Sequence, residues 1–261
     1  MGIKNNLILL KEYMKIALAS AMEYRFNFVL QSITMMLNDA IWILFWWIFF
    51  SRFNVVNGWQ LKELLMLYAV VTFSYGFSGF LFGNHHNIAN IIAEGKLDFY
   101  LGLPKSELFH LLISRSSAFS FGDAIFGLVL GIISFSIWQW PLFLLLITIA
   151  AVISISFAVI VGSLAFYWGN AEETARTLNF GMLSFAIYPL PIFKGFVRVL
   201  ILTIIPAGFI GGIPVELLKN FSWQWLGLSI LVAIIFFTVA IYVFRKGLKK
   251  YESGNLINVR V

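Results

Sequence analysis

Adjacent His85 and His86, a third histidine at His110, and acids at Asp39, Asp123, Glu107, Glu172 and Glu173 are the side chains with chemistry beyond packing. Neighbouring helical residues point about 100° apart, so His85 and His86 do not converge on one metal as an i, i+4 pair does. The chain has 0 Cys, which excludes disulfides, thiolate metal sites and cysteine nucleophiles. No metal site and no catalytic residue is expected. Asp39, beside Asn38, lies inside a long apolar run, and an ionisable group at membrane depth is a functional candidate by default. Asp39 and Asn38 could line a pathway, or Asp39 could pair with Arg198 or with hydroxyls on neighbouring helices. Asp123, beside Gly122, falls near the start of another run, where solvation or pairing with Arg115 accounts for it. Glu172 and Glu173 precede Arg176 in a short connection and suit a helix N-terminus. No G-x-x-x-x-G-K-[ST] phosphate loop is present, so no nucleotide-hydrolysing site of that kind is expected in this chain.

The elements that hold these residues follow from composition. Of 261 residues, 61% are hydrophobic and 11% charged, against about 25% charged in a soluble domain. Lipid is the solvent implied. Six continuous apolar runs, at 26–50, 64–82, 119–138, 143–167, 177–193 and 223–244, approach the roughly 20 residues that a span needs. The fifth is short and ends at Pro189 and Pro191. Barrel strands would alternate over about 10 residues, so the expected fold is all-α, with six transmembrane helices in one domain. Glycines at 76, 79 and 83 recur every three or four residues and read as close helix packing.

Thirteen Lys and Arg, including Arg25, Lys96, Lys105, Arg115, Arg176 and Arg260, fall on one side of these spans, and five on the other. The positive-inside rule then puts both termini in the cytoplasm, with a tail at 245–261. Residues 1–25 have charges at Lys11, Glu12 and Lys15 between apolar positions at helical spacing, which fits an interfacial amphipathic helix and not a cleaved signal.

Two connections are too elaborate to be simple turns. The cytoplasmic one, 83–117, contains a short amphipathic stretch ended by Gly95, which suits a left-handed C-cap. Beyond it Leu97, Phe99, Tyr100, Leu101 and Leu103 are apolar yet outside any span, as at a protein contact or under the chain's own bundle. The external one, 194–222, has nine strongly apolar residues, 197–205, followed by Pro206, Gly208, Gly211, Gly212 and Pro214. A re-entrant helical pair, with these residues forming the turn, is the economical solution. An external helix that never dips is the simpler alternative.

Two motifs carry a family resemblance. Residues 91–104, IIAEGKLDFYLGLP, are similar to I-x-x-G-x-L-D-x-x-L-x-x-P. Residues 188–218, YPLPIFKGFVRVLILTIIPAGFIGGIPVELL, are similar to Y-P-x-x-I-F-x-x-x-x-R followed by I-P-x-x-F and P-x-x-x-L. With the span order, they resemble the permease subunit of type-2 ABC exporters, in the bacterial branch of ABC-2 family transporter permeases. Gly102-Leu103 departs from the basic residue more usual before the proline.

The resemblance implies that two permeases, identical or related, form a dimer in the cell inner membrane among its lipids. Each would dock a cytoplasmic ABC ATPase subunit, which holds the ATP and Mg; no cofactor belongs to this chain and no nucleic acid is involved. The docking surfaces would be the interfacial helix near residues 4–22 and the coupling helix at 88–104, through Gly95, Leu97, Asp98, Leu101 and Pro104. The expected function is export, by alternating access, of a lipid-like, amphipathic or peptide- or drug-like substrate. A membrane-embedded lipid-modifying enzyme would need His, acids or a metal converging on one face. A passive channel would need repeated polar faces along several spans.

Overall fold

The computed structural model describes residues 3–104, 106–168 and 171–251. Residues 1–2 of the expected interfacial helix, Lys105, Arg260 and the tail beyond Tyr251 lie outside the described residues. Among those described, the chain is helical and has no strand. Its first helix, α1 (Ile3–Glu23), breaks at Tyr24 before α2 (Arg25–Arg52). Only Ser32, Asp39, Trp46 and Phe50 of α2 are buried. Spaced by seven, seven and four, they form one stripe along the helix, and the remaining faces are exposed. A tight Asn57-Gly58 turn, both residues at positive φ (50° and 79°), leads to α3 (Leu61–Leu81). Gln60 and Glu63 close a capping box at its start, and α3 is the most enclosed of the early helices.

The connection after α3 folds into a 3-10 turn at Gly83–Asn87, α4 (Ile88–Ala93), α5 (Leu97–Leu101) and α6 (Glu107–Ile113). Next comes α7 (Ala118–Ser134), bent 74° from α6. It stops earlier than the apolar run because Phe135 is extended and Ser136 and Gln139 cap a new 3-10 turn. Pro141 sits in the first turn of α8 (Trp140–Gly162), where its missing N–H costs nothing. After a 3-10 turn come α9 (Ala171–Ala186), α10 (Gly195–Thr203), α11 (Ala207–Ile210), α12 (Gly212–Lys219) and α13 (Trp223–Leu248).

Four helical stretches, α2, α3, Ile137–Phe166 and α13, are long and apolar enough to cross a membrane, and the bent α6–α7 pair makes a fifth. The fifth expected run, 177–193, is not of span length by itself. Its helix, α9, has 16 residues and begins with Glu172, Glu173 and Arg176.

The main core joins α3, α8, α11 and α12 through Leu67, Tyr68, Phe143, Ile153, Ile210 and Ile213. A second cluster gathers Ile88, Leu97, Leu111, Phe166 and Phe244 at the other end. Glycine makes the closest approach possible: a Cβ on Gly76 would overlap the Ala124 backbone, and one on Gly122 the Ser32 backbone. Backbone cannot rotate away as a side chain can. Gly76→Val is therefore expected to lower stability by about 1–3 kcal/mol, read as earlier thermal melting in detergent. Gly227→Ala, where the space is open, should melt no earlier than the parent.

Candidate functional site

Gly95 closes α4 with φ +70°, a conformation that costs other residues roughly 1–2 kcal/mol. The chain turns there and enters α5 almost at once. Leu97, expected on the docking face, is 0% exposed and packs in the second core cluster. It anchors α5 from inside. Tyr100 adds a polar tie: its hydroxyl lies 2.8 Å from Ser114 Oγ, which accepts a further bond from Asn84 Nδ2 at 2.7 Å. With that side fixed, Asp98, Phe99, Leu101, Gly102 and Pro104 are left exposed. Phe99, 65% exposed, is the most prominent apolar group there, and its place on the motif face was not evident from spacing. Partial burial, and then the Asp98 carboxylate nearby, raise the Tyr251 hydroxyl to about 12.

The segment before α5 reaches the helix bundle. Asn90 Nδ2 donates to Glu172 Oε2 at 3.3 Å, and Arg176 pairs with Glu172 and Glu173 at 3.4 and 3.3 Å. Ile88 sits where a Cβ on Gly162 would fall, so that glycine lets α4 seat against the end of α8. A push on α5 can therefore reach both α8 and α9.

Asp39 and Asp123 meet. The two carboxyls lie side by side, and Asp39 Oδ2 and Asp123 Oδ1 are buried without a hydrogen-bond partner. Neither Arg198 nor Arg115 forms an ion pair with them among the described residues. Asn38 itself is exposed on α2.

The residues expected to form a re-entrant turn have a different local role. Pro206 precedes α11, and Pro214 lies in the first turn of α12. Gly208, Gly211 and Gly212 all lack positive φ. Added Cβ atoms would instead strike Leu202, the Ala186 backbone and Leu190 respectively. The glycines allow close approach, and α11 and α12 are buried within the bundle.

The histidines do not form a shared ligand set. His85 Nδ1 lies 2.7 Å from the Phe82 carbonyl oxygen, and His110 Nδ1 is 3.3 Å from the Tyr13 hydroxyl. Burial, then the neighbouring His86, holds His85 below its ordinary range. His86 opens onto a cavity yet is ringed by protein, and that enclosure holds it at about 4. No group of three His, Asp or Glu lies together as a metal site among the described residues.

A family model described as ABC-2 family transporter protein matches residues 36–254. The chain belongs to the ABC-2 transporter family. No curated protein and no solved structure matches it. The family consists of membrane components of transporters that are not themselves catalytic. This ABC-2 permease also has an aromatic cleft of about 300 Å³ between α2 and the segment after α9, lined by Trp42, Trp46, Phe49, Trp59, Tyr188 and Pro191. Trp46 Nε1 donates to the Tyr68 hydroxyl at 3.1 Å, which fixes one wall. Tyr188 belongs to the second motif, but nothing in its spacing pointed to Trp46.

Proposed function

We propose that this ABC-2 permease is the gate of an ATP-driven exporter, moved by a separate ATPase subunit docked on α5. The observation that carries the reading is the apolar outer face of α5, anchored from within by Leu97 and lying among the basic connections. Such a face, with a few apolar anchors and Asp98 to set register, suits a protein partner. The ATP and Mg belong to that partner. Six crossings follow when α9 and the 3-10 turn at Leu190–Ile192 complete the fifth, with α11 and α12 as the re-entrant element and both termini in the cytoplasm of a cell-membrane protein.

Two permeases pair, and the exposed faces of α2 supply apolar surface for that contact. ATP binding draws the ATPases together, α5 follows, and Asn90–Glu172 carries the displacement to α9. A ligand shifts such an equilibrium only by its differential affinity for the two states, so the joint must be stiff. Cargo crosses near the aromatic cleft, whose apolar walls favour an amphipathic or lipid-like molecule. Purification of the tagged permease from its native membrane tests this. An ATPase subunit that co-elutes and is stimulated by the permease supports the reading; a permease that transports with no ATPase bound overturns it.

A further inference from the structure

The ends of α2, α3 and α7 that meet the basic connection enclose, beneath α1, a cavity of about 1080 Å³. That is slightly above the roughly 300–1,000 Å³ of small-molecule sites. Ser114, Ser116, Ser117 and Ser120 line it at the turn into α7, and Arg25 and Arg115 bring two guanidinium groups. No Asp or Glu lines it, and neither arginine enters an ion pair among the described residues. At its edge Leu18, Met22, Val29 and Phe119 are exposed apolar side chains.

Arg25 stands at the junction of α1 and α2, and Arg115 between the end of α6 and Ser117, the N-cap of α7; no acid lies in the first turn of α2 or α7 to pair with them. Two uncompensated cations, a serine-rich wall and an apolar rim together match an amphipathic anion. We infer that the cavity holds an anionic phospholipid of the inner leaflet, its phosphate between Arg25 and Arg115 and its acyl chains along Met22 and Phe119. The planar guanidinium fork suits phosphate oxygens better than an ammonium does. The choice of leaflet rests on the proposed topology; the site itself does not depend on ATPase docking.

Native mass spectrometry of the purified full-length permease, titrated with phosphatidylglycerol or phosphatidylcholine, tests the inference. Wild type is expected to retain phosphatidylglycerol about tenfold better, the margin of one strong charge-assisted contact. Arg25→Gln with Arg115→Gln should erase that preference, the paired lysine variants should keep part of it, and Arg198→Gln, outside the cavity, should keep it whole. Single glutamine variants serve if the double variant melts early, each then losing part of the preference. Equal binding of the two lipids by wild type, unchanged preference in the glutamine variants, or displacement of the lipid by inorganic phosphate alone would overturn it. Absence of a co-purifying ATPase would sink the proposed function and leave this lipid result untouched.

Discussion

Changing Phe99 and Leu101 together to aspartate is expected to cut co-purification of the ATPase subunit by about a hundredfold while the permease still folds. The effect is large because the two side chains, 65% and 41% exposed, are the apolar anchors on a helix of five residues. Losing central anchors of an interface costs about 2–4 kcal/mol, and each 1.4 kcal/mol is roughly tenfold. The fold should survive because α5 is held by its other face, through Leu97 and the Tyr100–Ser114–Asn84 ties. Leu97→Asp makes the complementary control: it buries a charge in the second core cluster and should lower the melting temperature of the permease itself. Pull-down with the ATPase and thermal melting of the permease alone separate the two outcomes. Unchanged co-purification in the Phe99 and Leu101 variant would remove α5 as the docking surface.

The second large effect concerns Asp39 and Asp123. Replacing either by leucine leaves the other carboxyl without its buried partner, at an expected cost of about 1–3 kcal/mol. Replacing both removes the unmet polar groups together, so the double variant should be more stable than the sum of the single losses allows. Groups in direct contact couple in this way, by about 0.5–3 kcal/mol. Asp39→Asn should be milder, because an amide can still hydrogen-bond a carboxyl. Melting of the four proteins in one detergent closes the cycle; strictly additive losses would mean that the two side chains do not meet in the membrane.

The long helices were legible because a continuous apolar run of span length has few other solutions. Thus α2, α3, α8 and α13 overlap apolar runs and are long and apolar enough to span, while the end of α7 at Phe135 and the start of α8 at Ser136 and Pro141 are set by local capping. Gly95 was readable because left-handed backbone favours glycine, and Asn57-Gly58 carries the same kind of signal, since the pair suits a two-residue turn. Contacts across the sequence were not readable. Asp39 and Asp123 are far apart along the chain, and no periodicity on α2 or α7 announces that their faces meet. Leu97 and Leu101 are alike in type and four residues apart; a helix of five residues is too short for a pattern to say which side is inside. Gly208, Gly211 and Gly212 looked like turn formers, because the sequence does not reveal that Leu190, Leu202 and Ala186 crowd them. The cavity beneath α1 depends in the same way on how α1 lies over two helix starts.

The central claim is that a separate ATPase grips this permease at α5 on its cytoplasmic side. The natural absence of cysteine makes the direct measurement simple: Leu101→Cys, labelled with a membrane-impermeant maleimide in inside-out and right-side-out vesicles. Labelling of stripped inside-out vesicles alone, blocked when the ATPase subunit is added back, is the predicted result. Labelling from the outside, or equal labelling with and without the ATPase, would contradict the account.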